Sequence, residues 1–385
     1  MKKSLYIFLS WRILLFLLAI VGILVIPKFG GSFPYANTVL EPTKLPAWIW
    51  GFGNFDGVHY LRIAQNGYAD AYYQAFFPLF PLLIRFLNFF PKTFGLNPQI
   101  FVDPSYFYTG IALANIFLFL SLLVIRKIVA KKEFIWNILL LLSFPTAFYF
   151  GAIYTESLFL LELVLFILFF KKKKYLYAAV VASFASATRL VGVLLSLVLL
   201  IELIKSVNFS KIKSDVRTLF RWMLPIFISP LGFIAYMWYL KTYFGSPFAF
   251  ISVQSGFGAG RSSLPIVTLP QVFYRYLKMF FTVQNSYQLF NLSLEFIFAL
   301  AGLGILIWMF RKVNFSWWIF SALVYILPTL TGTFSSMPRY LIFSYIPFIP
   351  AIMKLDASFR KYLVISMVLV QIILLILFAR GYWVA

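Results

Sequence analysis

Apolar runs long enough to cross a bilayer recur along the whole of this 385-residue chain, and they leave little choice of fold. They lie near 5–27, 105–125, 134–151, 154–170, 222–243, 290–310, 316–332, 340–353 and 362–379, measured against the roughly 30 Å of hydrocarbon that a spanning helix must cover. The stretch 175–204 lies between the basic clusters Lys171 to Lys174 and Lys205 to Arg221. If basic loops stay on one side of a membrane, an even number of crossings must separate these clusters. The stretch is therefore read as two short spans that turn at Thr188-Arg189. The expectation is an all-α, polytopic integral membrane protein with eleven transmembrane helices, built as a single domain over 1–385. Residues 5–27 form a retained first span, since the run is too long for a signal peptide and lacks a small-residue cleavage site.

The formal charge of +22 raises the question of nucleic acid, and the placement of the charge answers it. Twenty of the 33 lysines and arginines fall in short segments on one side: Lys2, Lys3, Arg126, Lys127, Lys131, Lys132, Lys171 to Lys174, Lys205, Lys211, Lys213, Arg217, Arg221, Arg311, Lys312, Lys354, Arg360 and Lys361. Such a bias is the signature of a cytosolic membrane face, so the N-terminus is placed in the cytosol and no nucleic-acid partner is expected. The absence of cysteine excludes disulfides, thiolate nucleophiles and cysteine-ligated metals, and a single histidine excludes a multi-histidine metal site.

Two outer segments are long, 28–104 and 244–289, and both are rich in Phe, Tyr, Trp and Pro. The first holds the only histidine, in Asn54-Phe55-Asp56-Gly57-Val58-His59-Tyr60. Asp56, His59, Tyr60 and Ile63 recur at helical spacing, which predicts a short interfacial helix ended by Gly67-Tyr68. An acid and an imidazole three residues apart share one face of that helix, and both can move protons near neutral pH. A solvated interfacial helix is the alternative, with Tyr60 and Tyr68 as membrane-surface anchors. Phe76 to Arg85 is too short and too interrupted by proline to span, and it is read as lying in the outer interface.

The chain has eleven acidic residues. Glu133, Glu202, Asp215 and Asp356 sit among the inner basic clusters. Glu41, Asp56, Asp70, Asp103 and Glu156 fall outside, and Glu162 and Glu295 lie within spans, where an ionisable group is costly. Further polar clusters collect at outer span ends: Pro145-Thr146 with Tyr154 to Ser157, Thr188-Arg189 with Gly192, Gln254 to Arg261, and Ser335 to Tyr340. Arginine suits a phosphate there, because its planar fork stays charged and binds bidentately. Gly256 to Arg261 lacks the lysine and the strand-to-helix context of a phosphate loop and is read as a flexible outer lid. Asn-x-Ser triplets at Asn208, Asn291 and Asn314 lie inside or near membrane ends, which argues against glycosylation.

Phe55-Asp56-Gly57-Val58-His59-Tyr60, with Ile63-Ala64 and Gly67-Tyr68, resembles the Trp-Asp-x-x-His-Tyr, Ile-Ala, Gly-Tyr run of the PIG-V family of mannosyltransferases in the GT-C superfamily. Phe76 to Leu82, Phe144 to Ala147, Tyr154 to Phe159, Thr188 to Gly192, Phe250 to Gln254 and Arg339-Tyr340 are similar to further family elements in the same order, and Phe55 departs from the family's usual Trp. The resemblance implies a polyprenyl-phosphate-mannose donor and an acceptor hydroxyl on a glycolipid, glycan or protein at the non-cytosolic face. The host membrane would be the plasma membrane in a prokaryote or the endoplasmic reticulum in a eukaryote. Asp56 is then the expected catalytic base, with His59, Tyr60, Glu156, Arg189, Gln254, Arg339 and Tyr340 as substrate-binding residues. No metal or cofactor is called for. A transporter or lipid-linked sugar flippase shares the composition, but it would place functional charges at mid-membrane and show related halves, and no internal repeat is visible.

Overall fold

The computed structural model describes residues 2–30, 35–92, 97, 100–206, 223–258, 260–263 and 266–384, and every regular element among them is helical. Asn208, Asp215, Lys211, Lys213, Arg217 and Arg221 lie outside the described residues. Five helices are long and apolar enough to cross a membrane: Lys2–Val25 (α1), Pro104–Ile128 (α4), Met223–Phe244, Ser286–Met309 (α11) and Ala357–Ala379 (α14). At 1.5 Å per residue the 24 residues of α1 reach about 36 Å. Large apolar side chains are left exposed along these helices, as with Leu9, Ile13, Leu17 and Leu24 on α1 and Tyr362, Ile365, Leu369 and Ile373 on α14. Water would oppose such stripes and lipid accepts them, so the protein is an all-helical membrane protein.

Shorter helices complete the bundle: Phe134–Leu142 (α5), Glu156–Lys171 (α6), Tyr175–Thr188 (α7), Leu194–Ser206 (α8), Leu231–Phe244 (α9, the second part of Met223–Phe244), Phe315–Thr329 (α12) and Met337–Tyr345 (α13). Two apolar windows that read as uninterrupted spans are broken, and proline is the cause in each. In 134–151 the helix stops at Leu142 before Pro145 and resumes as a 3₁₀ turn over Ala147–Gly151. In 340–353, Pro347 and Pro350 divide the run into α13, a 3₁₀ turn Ile346–Phe348 and a single helical turn Ile349–Ile352. The break at Pro145 strands backbone carbonyls, and neighbouring side chains supply donors. Gln371 Nε2 donates to Leu142 O and Phe144 O at 2.9 Å each, and Arg12 Nη1 donates to Gly151 O at 2.8 Å.

Helix α7 ends where Arg189 takes an extended conformation (φ −152°, ψ 149°), and the chain re-enters as the 3₁₀ turn Leu190–Val193 followed by α8. Gly192 lies so close to the Ala185 carbonyl that no side chain fits, which makes a tight return possible at this point. Polar caps set the ends of the longer helices: Asp103 caps α4, Asn285 caps α11, Asn314 caps α12 and Asp356 caps α14, each accepting from backbone N–H groups of the first turn.

The two ends of the bundle differ. Lys205 at the end of α8 meets Asn314 at the start of α12 (3.1 Å), close in sequence to Arg311 and Lys312. Arg380 at the far end of α14 donates to Ile26 O (2.7 Å) and Pro27 O (2.5 Å) beyond α1, so α1 and α14 run parallel and finish together. Over that second end folds the 28–104 segment, with Asp56–Asn66 (α2) and Leu79–Phe86 (α3) as its main helices. Its apolar residues, among them Val58, Leu61, Phe80 and Ile84, form a core of their own with Phe107 and Leu113 of α4. Gly67 (φ 73°) ends α2 where the sequence places its stop. The 244–289 segment is also structured and contains the helix Leu269–Phe280 (α10).

Candidate active site

Asp56 is the first residue of α2, and the backbone leading to it is strained. Phe55 sits at φ 57°, ψ −118°, a region non-glycine residues avoid, and the surroundings hold it there. Asn54 Nδ2 donates to Phe378 O on α14 at 2.8 Å, and the Phe55 ring packs on Phe378 and Trp383. Tyr154 Oη spans the strained residue: it donates to Asn54 O (2.8 Å) and accepts from the Asp56 N–H (3.2 Å). Tyr154 is thus a positioning residue. Tyr154→Phe removes both bonds; Asn54 O keeps the Gly57 N–H (3.4 Å) while the Asp56 N–H loses its acceptor, at an expected cost of about 1–3 kcal/mol. A lower unfolding temperature in detergent checks this.

Three helices begin at this point, and each brings a charge. Asp56 opens α2, Glu156 opens α6, and Arg339 lies in the first turn of α13, entered through Ser336 at φ 68°. Pro145-Thr146 supports that entry, because Thr146 Oγ1 donates to Pro338 O at 2.8 Å. Arg189 comes from the break after α7. The four side chains form one alternating chain of charge. Arg339 Nη1 meets Asp56 Oδ2 at 2.6 Å and its Nε lies 3.3 Å from Glu156 Oε1. Arg189 Nη1 meets the same Glu156 Oε1 at 2.5 Å and Thr155 Oγ1 at 3.0 Å. Two acids and two arginines sum to zero, and the first turns of three helices add their positive ends.

Exposure grades along this chain. The Glu156 side chain is 1% exposed while Asp56 is 19% exposed, so Asp56 is the member that an incoming molecule meets first. Glu156 Oε2, Arg339 Nε and Ser157 Oγ are buried without a hydrogen-bond partner among the described residues. Burying such charges is costly, and a network with unused donors and acceptors is poor design for stability alone. Burial works against the charged form of Asp56, but the ion pair and hydrogen bond of Arg339, then His59 and Arg261, outweigh it and hold the carboxyl below its ordinary value. Aromatic rings wall the arginines: Tyr340 lies 5.2 Å from the Arg189 guanidinium and 5.9 Å from that of Arg339, and Tyr154 lies 5.3 Å from Arg339.

The other expected residues group differently. Tyr60 is buried, with its ring against Phe76, Phe80 and Tyr154. His59 lies in an aromatic box of Phe76, Tyr73, Tyr35 and Phe257, and its buried Nδ1 has no hydrogen-bond partner among the described residues. Burial lowers its pKa against the opposite pull of Asp56, which keeps the imidazole neutral. Asp56 is oriented by Arg339 and Tyr154. Gln254 folds back on Phe250 O (3.0 Å), and it is Phe257, in the same 3₁₀ turn, that reaches His59. Arg261 Nη2 approaches Ser335 Oγ and Ser336 Oγ at 3.4 Å each. The loop around Gly256 therefore packs against α2 and the entry to α13, with Gly256 on the Tyr72 ring.

Comparison with protein-family models, curated proteins and solved structures returns no match. The chemistry of the site therefore has to be read from its own residues. Sequence reasoning missed Asn54 and Arg12 as supports. A lone arginine in an otherwise apolar first span was the available signal for Arg12, whose guanidinium also stacks on Phe16 (4.2 Å) and Phe52 (4.3 Å).

Proposed function

We propose that the chain is an inverting glycosyltransferase that moves mannose from a polyprenyl-phosphate donor to an acceptor hydroxyl. The observation that carries this reading is the Asp56–Arg339–Glu156–Arg189 chain, two acids and two arginines gathered at one end of an apolar helical bundle. The acceptor oxygen attacks the anomeric carbon while the bond from that carbon to the phosphate oxygen breaks, with inversion. Asp56 takes the acceptor proton. The phosphate leaves as a monoester with one more negative charge than in the donor, and Arg339 and Arg189 neutralise it where preorganised donors contribute most. The basic clusters Lys171 to Lys174 and Lys205 with Arg311 and Lys312 favour the opposite end as cytosolic, which supports a site on the non-cytosolic face. The ordered resemblance to PIG-V motifs in the sequence supports the sugar and the donor class.

Reconstituted protein given radiolabelled polyprenyl-phosphate mannose and a panel of glycolipid, glycan and peptide acceptors tests the reading, and transfer to none of them counts against it. The rate should be level above about pH 7.5, since a carboxyl and an imidazole held below their ordinary values, about 4 and 6.5, are both mainly in their basic forms there. Activity should fall only on the acid side, as protons return to the base. One observation favours a transporter instead: Glu162 and Glu295 sit within helices, bonded to Thr188 (2.8 Å) and to Tyr276 respectively. Sugar-lipid translocation in liposomes without transfer would select that reading.

A further inference from the structure

A second basic pocket lies beside the candidate active site and takes no part in the chemistry above. It is a cavity of about 310 Å³ between α10 and the 330–336 loop, lined by Arg275, Lys278, Thr282, Gly260, Gly332 and Thr333. Arg275 and Lys278 are one helical turn apart and both face it, and no acid among the described residues lines it. The arginine is held in place: its Nη1 donates to Gly332 O at 3.4 Å, and Gly332 (φ 87°) lies so close to that guanidinium that no side chain fits between them. Thr333 is fixed by Tyr276 Oη at 2.9 Å.

The surroundings indicate where the ligand comes from. Tyr274 and Leu277 on α10 and Phe281 just after it recur at spacings of three and four and are exposed, Phe281 to 91%. Val272 and Tyr276, on another face, are buried in the bundle. A helix with one apolar face outward, one inward and cations between them lies along a membrane surface, so the pocket opens at headgroup depth. The same loop continues from Thr333 through Ser335 and Ser336 into α13 and Arg339. A ligand in the pocket is therefore anchored next to the site that holds Asp56.

We infer that this pocket binds the phosphodiester headgroup of an anionic lipid of the surrounding membrane. The test uses full-length protein in nanodiscs of neutral phosphatidylcholine, with dioctanoyl phosphatidylglycerol, a neutral dioctanoylglycerol glycoside and inorganic phosphate as probes. Wild type should bind the phosphatidylglycerol about tenfold more tightly than the neutral glycoside, and less so as salt is raised. Arg275→Ala with Lys278→Ala should remove the preference, and Asp56→Asn should keep it. Lys278→Gln, at an exposed position that does not threaten folding, should weaken it severalfold. Equal binding of both lipids by wild type, or a preference that survives the double substitution, overturns the assignment. Inorganic phosphate binding as tightly as the lipid would make this a free-anion site and overturn its lipid source.

Discussion

Asp56→Asn should lower kcat for sugar transfer by roughly 10²- to 10⁴-fold, the usual worth of a general base, while donor binding persists. The expectation follows from geometry. Asp56 is the most exposed member of the charged chain, and its carboxyl is held below its ordinary value by Arg339 against the effect of burial. Asparagine keeps the shape and an acceptor oxygen for Arg339 Nη1, so the 2.6 Å contact has a neutral successor and the strained entry at Phe55 is still clamped by Tyr154. Arg339 retains Glu156, and the site gains one net positive charge, which favours the donor phosphate. The expected pattern is lost turnover with donor Kd equal to or below that of wild type. Measuring kcat with radiolabelled donor and Kd on the same preparation distinguishes this from misfolding, and unimpaired turnover would remove Asp56 from the mechanism.

Much of the site could be read from the chain because chemistry is scarce in it. With eleven acids and one histidine among 385 residues, each polar residue at the end of an apolar run stands out, and Asp56, Glu156, Arg189 and Arg339 were all visible in this way. Their pairing was not, since Asp56 and Arg339 are 283 residues apart and only the packed bundle brings their helix starts together. The supports were harder still. Asn54 acts on the backbone carbonyl of Phe378 and Arg12 on that of Gly151, and a carbonyl has no sequence signature. The apolar windows located the helices but not their continuity. In 134–151 and 340–353 proline stops a helix whose hydropathy continues, and in 134–151 the stranded carbonyls are tolerated because Gln371 and Arg12 come from other helices to satisfy them.

Arg339→Lys should cost about 10²- to 10³-fold in kcat, the range for losing one preorganised donor at a developing charge, and it tests how the base is released. In the structure Arg339 spans Asp56 and Glu156, one through Nη1 and the other through Nε. A lysine ammonium has the charge without the fork, so it can hold one carboxylate closely and not both. An arriving phosphate competes for the same guanidinium. If Arg339 turns toward it, Asp56 loses the partner that lowers its pKa and becomes a stronger base only when the donor is bound. The sign can be followed in pH profiles. The acid limb of kcat/KM reports the free enzyme, where Asp56 is depressed, and the limb of kcat reports the donor complex. In wild type the limb of kcat should therefore lie at higher pH than that of kcat/KM, and in Arg339→Lys the two should draw together. Arg339→Ala answers less, because leaving Asp56 and Glu156 without their shared cation costs about 3–5 kcal/mol and puts folding itself at risk. Coincident acid limbs in wild type would mean that Arg339 stays on Asp56 throughout, and base activation would then have to come from the acceptor side of the site.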